Sequence, residues 1–254
     1  MKGVRLAELT WEEAADVIET HPIVMLPIGG GTKEHGPHLP CGTDQMVVDE
    51  LAERVLRESP VLLLPTLPYA YYPAFVDWPG SVSIEANHFK AIVGDIIRSM
   101  YRHGSRKFFI LDGGVSTHYP LLVLARDLHN ELGIDVAVTN ILGLGIEVEE
   151  EVCEQESGGH ADESETSCML VIRPDLVKMD RAVKEIQPVR PGTRGANGVI
   201  KVSIGGKMRT KSGINGDATL ATAEKGEKIL AAMAQDMITF LEHFAQISLP
   251  VEES

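Results

Sequence analysis

Short apolar runs alternate with longer amphipathic runs along most of this chain, and this alternation restricts the fold more than any other feature. The apolar runs have the length of strands, and the amphipathic runs have the length and spacing of helices. Parallel strands need a crossover of a dozen or more residues, usually a helix, and such crossovers are right-handed. The sequence therefore predicts an α/β fold with a mostly parallel central sheet.

Capping and helix-breaking residues place the elements. Thr10 is a suitable N-cap for the first helix, and the fourth helix is expected to start at Pro120 and stop at Gly133. The predicted strands are 22–28, 61–68, 107–114 and 135–142, and the predicted helices are 11–20, 45–58, 88–104, 120–133 and 222–246. We expect one domain over residues 1–254, in which the glycine-rich, basic stretch 190–217 is a hairpin insertion or a flap.

Charge and composition narrow the class of partner. The formal net charge of -14 comes without a stripe of lysine and arginine, which argues against nucleic acid and favours a small-molecule substrate. The first 20 residues lack the apolar core of a signal peptide, and no apolar run of 18 residues follows. We therefore expect a soluble, cytoplasmic protein with no membrane partner.

Three stretches rich in histidine and carboxylates fall where ligands bind in open α/β sheets, beyond the carboxyl ends of the strands. They are GTKEHGPHLPCGTDQ (31–45), LDGGVSTHY (111–119) and GHADESETS (159–167). Together they offer nitrogen and oxygen ligands for a divalent ion such as Zn²⁺: His35, Asp44, His118, His160, Glu163 and Glu165. A polar surface loop would have a similar composition, so the residues alone leave both interpretations open.

Five stretches, in order, resemble the motifs of the creatininase (creatinine amidohydrolase) family. They are HGPHLPCGTD (35–44), YYPAFVDWPGSVSI (71–84), LDGGVSTHYPLL (111–122), HADESETS (160–167) and SGINGDATLATAEKGEKIL (212–230). The resemblance implies a three-layer α/β/α fold and hydrolysis of amide-type C–N bonds by metal-activated water. It also implies a divalent metal, with zinc favoured over manganese or iron, and a homo-oligomer, often a hexamer.

The sequence departs from the family at two ligand positions. Lys33 stands where the family has a glutamate ligand, and Gly114 stands where it has a histidine. Both family ligands serve the same ion of a metal pair, which favours one metal per chain in this protein. In the alternative interpretation the loop shifts by one residue and Glu34 coordinates the metal after all.

The resemblance also implies a division of roles. The single ion would be held by His35, Asp44 and Glu165, with His118 as an additional ligand. His160 would be the catalytic acid or base, Glu163 its supporting partner, and Lys33 would sit near the vacated metal position. The remaining candidates are Trp78, Tyr119 and Ser116, which we expect to bind substrate. Trp78 suits core packing equally well.

Two other functions remain open. A descendant of the family without catalytic activity could bind a small ligand and keep one structural metal. A sugar- or nucleotide-binding α/β module would hold no metal, and metal ions would then not raise its melting temperature.

Overall fold

The apolar runs form a five-stranded sheet in which every pair of neighbouring strands is parallel. The computed structural model describes residues 2–188 and 208–247. The strands are β1 (Val4–Arg5), β2 (Ile23–Ile28), β3 (Val61–Leu63), β4 (Lys107–Asp112) and β5 (Asp135–Val138), in the order β1-β3-β2-β4-β5. The helices are α1 (Trp11–Thr20), α2 (Thr43–Glu58), α3 (Ala86–Arg102), α4 (Val115–Leu132), α5 (Ile146–Val152), α6 (Glu163–Ile172) and α7 (Ala223–Gln246). A separate antiparallel pair joins β6 (Lys184–Glu185) to β7 (Gly216–Asp217).

Helices cover both faces of the sheet, which confirms the three-layer α/β/α arrangement. Alternate residues of β2 enter two different cores: Ile23 and Met25 pack with α2, α6 and α7, whereas Val24 and Leu26 pack with α1, α3 and α4. This is the two-residue period of a strand that is buried on both faces. All six residues of β2 are buried.

Helix α4 begins at Val115, five residues before the predicted start at Pro120. The carboxylate of Asp112 accepts hydrogen bonds from the Thr117 hydroxyl at 2.6 Å and the Gly114 N–H at 3.2 Å. These bonds supply partners for polar groups at the helix start, so the helix begins at Val115 and continues through Pro120. Pro120 removes one backbone hydrogen bond without ending the helix.

Other boundaries also differ from the prediction. Strand β3 ends at Leu63 and α2 begins at Thr43, two residues earlier than expected. Helices α5 and α6 were not predicted, although α6 has a recognisable start signal. The Asp162 side chain accepts the N–H of Glu165 at 3.1 Å, as an N-cap does.

The segments that follow the two central strands, β2 and β4, lie side by side at the same edge of the sheet. Ile28 and Asp112 are in register at the carboxyl ends of β2 and β4, and Gly113 N–H donates to the Ile28 carbonyl at 2.9 Å. A Cβ at Gly113 would lie 2.4 Å from Val48, so only glycine permits this approach of strand end and α2. The sheet therefore brings the first two histidine- and carboxylate-rich stretches together.

Most of the predicted insertion or flap, 190–217, lies outside the described residues, since these resume at Met208. Within residues 2–188 and 208–247, no helix combines the length and the apolar character needed to cross a membrane.

Candidate metal centre and active site

A buried ion pair lies at the carboxyl end of β2. The Lys33 ammonium is 2.7 Å from Asp44 Oδ2, and both side chains are almost fully buried. The rings of Tyr72 and Phe75 flank the ammonium, with centroids 5.3 and 5.0 Å from Nζ. Burial raises the pKa of Asp44, but the charges of Lys33 and His35 lower it overall. Asp44 therefore stays a carboxylate, in the first turn of α2 where the helix dipole also favours negative charge.

His35 is held on both sides. Its Nδ1–H donates to the Lys33 carbonyl at 2.9 Å, and Nε2 lies 2.7 Å from Asp44 Oδ1. A carbonyl can only accept, so the neutral ring carries its proton on Nδ1 and turns a lone pair towards a carboxylate. That contact requires a proton or a metal ion at Nε2. A histidine oriented through its other nitrogen by a backbone carbonyl is the usual arrangement of a metal ligand.

His160 lies against His35, with ring centroids 4.8 Å apart. Its Nε2 is 3.1 Å from Glu34 Oε2, its Nδ1 is 3.9 Å from Glu165 Oε2, and Phe75 packs on the ring at 4.4 Å. Burial lowers the pKa of His160. The imidazole is therefore biased towards its neutral form, with a carboxylate partner already in place.

The backbone around His160 is conformationally restricted. His160 and Asn215 exchange two backbone hydrogen bonds of 3.3 and 2.8 Å. Ala161 has φ 49°, the one positive value among the non-glycine residues that the structure describes. A non-glycine residue in this region costs about 1 kcal/mol or more, and such residues are concentrated at functional sites.

Three side chains form a donor cluster that fits a divalent ion. His35, His160 and Glu165 each offer one ligand atom, and these atoms lie within 4.8 Å of one another. Burial raises the pKa of Glu165, but His35, His160 and Lys33 lower it overall, so it is a carboxylate. Imidazole nitrogen and carboxylate oxygen are donors that zinc and manganese accept. Glu34 is outside this cluster and is bonded to His160 and to the Gly36 N–H.

The structure shows what occupies the space beside Gly114. A Cβ at Gly114 would lie 3.1 Å from the Tyr72 ring and 2.5 Å from the Thr117 hydroxyl. Tyr72 thus fills the space over this glycine. Burial raises the pKa of the neighbouring Asp112 to about 7. Within the described part of the chain, the Tyr72 hydroxyl and Asp112 Oδ2 are buried and have no hydrogen-bond partner.

Three residues expected at the site lie elsewhere. His118 donates from Nδ1 to the Thr139 carbonyl at 3.1 Å, and among the described residues it is not part of the donor cluster. Tyr119 is 72% exposed on the outer side of α4, and Trp78 packs against the core that includes α3 and α4. The early start of α4 explains the positions of His118 and Tyr119, because it turns both side chains away from the cluster. Ser116 does line the cavity described below.

Glu163 is fully buried, but it does not contact His160. Its carboxylate accepts the N–H groups of Glu154 and Gln155 at 2.9 and 2.7 Å, and the Lys225 ammonium lies 2.5 Å from Oε1. These bonds fasten the segment before His160 to α7. The position of Glu163 therefore gives no support to its predicted role as a partner of His160.

Lys225→Met is expected to lower the free energy of unfolding by about 3 kcal/mol, because it leaves the Glu163 carboxylate buried without its cation. Urea denaturation of metal-free protein measures the effect. Lys228→Met is the matched control: Lys228 lies on the same helix in an exposed pair with Glu224, whose loss should leave the free energy of unfolding almost unchanged. An equal loss of free energy of unfolding in the two variants would contradict the assignment of Lys225 as the cation that stabilises the buried Glu163 carboxylate.

A cavity of about 350 Å³ opens onto the cluster. Lys33, His160 and Glu165 line one part of it, and mostly apolar side chains line the rest. The sequence did not predict Phe75 or Glu149 in its wall. Phe75 stands in a recognisably aromatic stretch, whereas Glu149 belongs to an acidic run, IEVEEEV, that has the composition of a solvated helix.

Comparison with known proteins identifies relatives along nearly the whole chain. The profile of the creatininase family, described as creatinine amidohydrolase, matches residues 7–241. A creatinine amidohydrolase of Pseudomonas putida is 27% identical, covering 92% of this chain and 94% of the relative. A 3-dehydro-scyllo-inosose hydrolase of Thermotoga maritima is 25% identical (99% and 88%), and a mycofactocin precursor peptide peptidase of Mycolicibacterium smegmatis is 29% identical (84% and 81%).

Solved structures share the fold. A putative creatinine amidohydrolase from Bacteroides fragilis superposes with a TM-score of 0.80 at 27% identity, covering 99% of this chain and 100% of that one. A structure named creatininase Mn superposes with a TM-score of 0.74 at 25% identity, covering 97% and 100%.

Proposed function

This chain is a hydrolase of the creatininase family, and from that premise we propose that it cleaves the C–N amide bond of a short peptide or of a small non-peptide amide, such as a cyclic amide or a formamide, with the help of one divalent metal ion. The observation that carries the proposal is the convergence of His35, His160 and Glu165 beside the buried Lys33, at one end of a cavity large enough for a small molecule.

The metal would be held by His35, Asp44 and Glu165, with zinc favoured and manganese or iron as alternatives. When bound, the ion supplies a water of lowered pKa and positive charge for the reacting carbonyl. One ion per chain is supported by Lys33, whose ammonium already neutralises Asp44 Oδ2. It is also supported by Tyr72, whose ring fills the space over Gly114.

Lys33 provides a fixed positive charge in the cavity wall. Asp44, Tyr72 and Phe75 hold the ammonium in place, and burial protects it from screening by water. Negative charge develops on the amide oxygen as the carbonyl is attacked. A preorganised cation near that oxygen stabilises the transition state more than the substrate, which raises the rate.

His160 moves the protons. The neutral imidazole accepts a proton from the attacking water and then delivers it to the leaving nitrogen. Glu34 Oε2, 3.1 Å from Nε2, stabilises the imidazolium that exists between these two steps. The ring's packing against Phe75 restricts its orientation during the transfer.

Zinc is expected to raise the melting temperature of metal-free wild-type protein, because an ion that binds only the folded state stabilises it by about 2.7 kcal/mol at 100 times Kd. Differential scanning calorimetry with and without zinc measures this. His35→Asn should abolish the gain, whereas His243→Asn, an exposed histidine on α7, should preserve it. A zinc-independent melting temperature in the wild type would contradict the proposal.

Hydrolysis is tested on the zinc-loaded protein with creatinine, N-formylated amines and short peptides, by mass spectrometry of the ring-opened or cleaved products. We expect product from at least one compound class and none after zinc is removed by a chelator.

The changes at Lys33 and Gly114 also favour a second candidate, a non-catalytic descendant that binds a small ligand and keeps one structural metal. Zinc binding without product from any compound of the panel would favour that candidate.

A further inference from the structure

The cavity beyond the metal-binding cluster has largely apolar walls, in which Glu149 and Asp162 are carboxylates. The apolar part is formed by side chains of α2, the segment after β5, α6 and α7, namely Val47, Ile141, Leu142, Cys168 and Met233. Glu149, from α5, lines the same cavity. Neither the fold nor the proposed catalytic steps use this carboxylate.

Among the described residues, the charged neighbours of Glu149 are acidic. The side chain is half-buried and is hydrogen-bonded to Ser164. Burial raises its pKa to about 7, and its charged neighbours Asp162, Glu165 and Glu150 are all acidic. Among residues 2–188 and 208–247, no basic side chain forms an ion pair with it. A carboxylate that is buried beside other acidic groups is costly unless a cation neutralises it, and a ligand can supply that cation.

We propose that Glu149 determines substrate specificity: it binds a primary ammonium group at the end of the substrate opposite the scissile amide. This inference rests on the proposed function, and it specifies the substrate class as a short aliphatic amide with a terminal amine. Val47, Leu142 and Met233 would contact the aliphatic stem, while the ammonium donates to the Glu149 carboxylate. The energetic gain comes from pairing a buried charge that the free protein leaves unpaired.

The probes are ω-aminoalkanamides with chains of three to six carbons, each compared with the neutral alkanamide in which a methyl group replaces the amine. Calorimetric titration of the zinc-loaded protein measures both affinities. At one chain length we expect the amine to bind about tenfold more tightly than its neutral counterpart, as for a charge-assisted hydrogen bond. Equal affinities within every pair would overturn the inference.

Glu149→Gln should reduce that ratio to below about twofold. Glu150→Gln, an exposed residue of the same helix, should leave it unchanged. Glu149→Asp should move the preference to a chain one carbon longer, since its carboxylate is one methylene shorter. A ratio that survives Glu149→Gln would overturn the inference, and the Asp variant provides an independent check if the Gln variant folds poorly.

The same compounds separate this inference from the proposed function. Release of ammonia from them is measured in parallel with binding. Tight, Glu149-dependent binding without release supports the specificity role and contradicts the hydrolase mechanism. Release that does not distinguish the amines from the neutral amides supports the mechanism and overturns the role of Glu149.

Discussion

Lys33→Glu is expected to raise the metal content of this protein from one divalent ion per chain towards two. The substitution removes the ammonium that lies 2.7 Å from Asp44 Oδ2 and restores a carboxylate beside it. Without metal, two buried carboxylates then repel each other, and loss of the buried ion pair should lower the free energy of unfolding by about 4 kcal/mol. Added metal should recover most of that loss.

Elemental analysis after dialysis measures the stoichiometry, and urea denaturation with and without zinc measures the stability. Lys178→Glu is the control, because it makes the same charge change at an exposed residue that forms no ion pair with the other described residues. Two ions per chain in the wild type would contradict the single-metal proposal. So would a Lys33→Glu variant that still binds one ion and unfolds like the wild type.

His160→Gln should lower the rate of amide hydrolysis by about 10²- to 10⁴-fold while the metal content stays near that of the wild type. The reason is that His160 Nε2 lies 3.1 Å from Glu34 Oε2, which suits proton transfer, and that the proposed ligands His35, Asp44 and Glu165 do not include His160. Steady-state kinetics on whichever amide is hydrolysed, together with elemental analysis, measure both quantities.

Two further variants make the result specific. Glu165→Gln should lose activity and metal together. His118→Gln should change neither, because His118 is not part of the described donor cluster. A His160→Gln protein that loses its metal would reassign His160 as a ligand, which its distance to His35 and Glu165 also permits.

The alternation of apolar and amphipathic runs was enough to predict the parallel sheet, whereas its three layers were predicted from the resemblance to the creatininase family. The contact between His35 and Asp44 could be expected because His35 lies in the loop beyond β2 and Asp44 in the first turn of the helix that follows, so the two are close in sequence. His118 and Tyr119 were misplaced because Asp112 caps α4 early, and a shift of helix start rotates every side chain that follows. Pro120 was a plausible but misleading start signal.

Glu149 and Glu163 could not be placed from sequence for a different reason. Both belong to acidic stretches that have the composition of solvent-exposed surface. Glu149 faces a cavity. Glu163 is buried against Lys225, which follows it in the chain by more than 60 residues. Which of several similar carboxylates becomes buried depends on packing between distant segments, and no local pattern reports it.

The backbone pairing of His160 with Asn215 has a consequence for biosynthesis. The residues that would bind metal and transfer protons span positions 33 to 165, yet the hydrogen bonds that hold His160 exist only after residue 215 has been translated and has left the ribosome. Contacts so distant in sequence form late in folding. A nascent chain therefore carries exposed histidines and carboxylates for most of its synthesis, and it gains a well-defined metal site only when the last helix is being made.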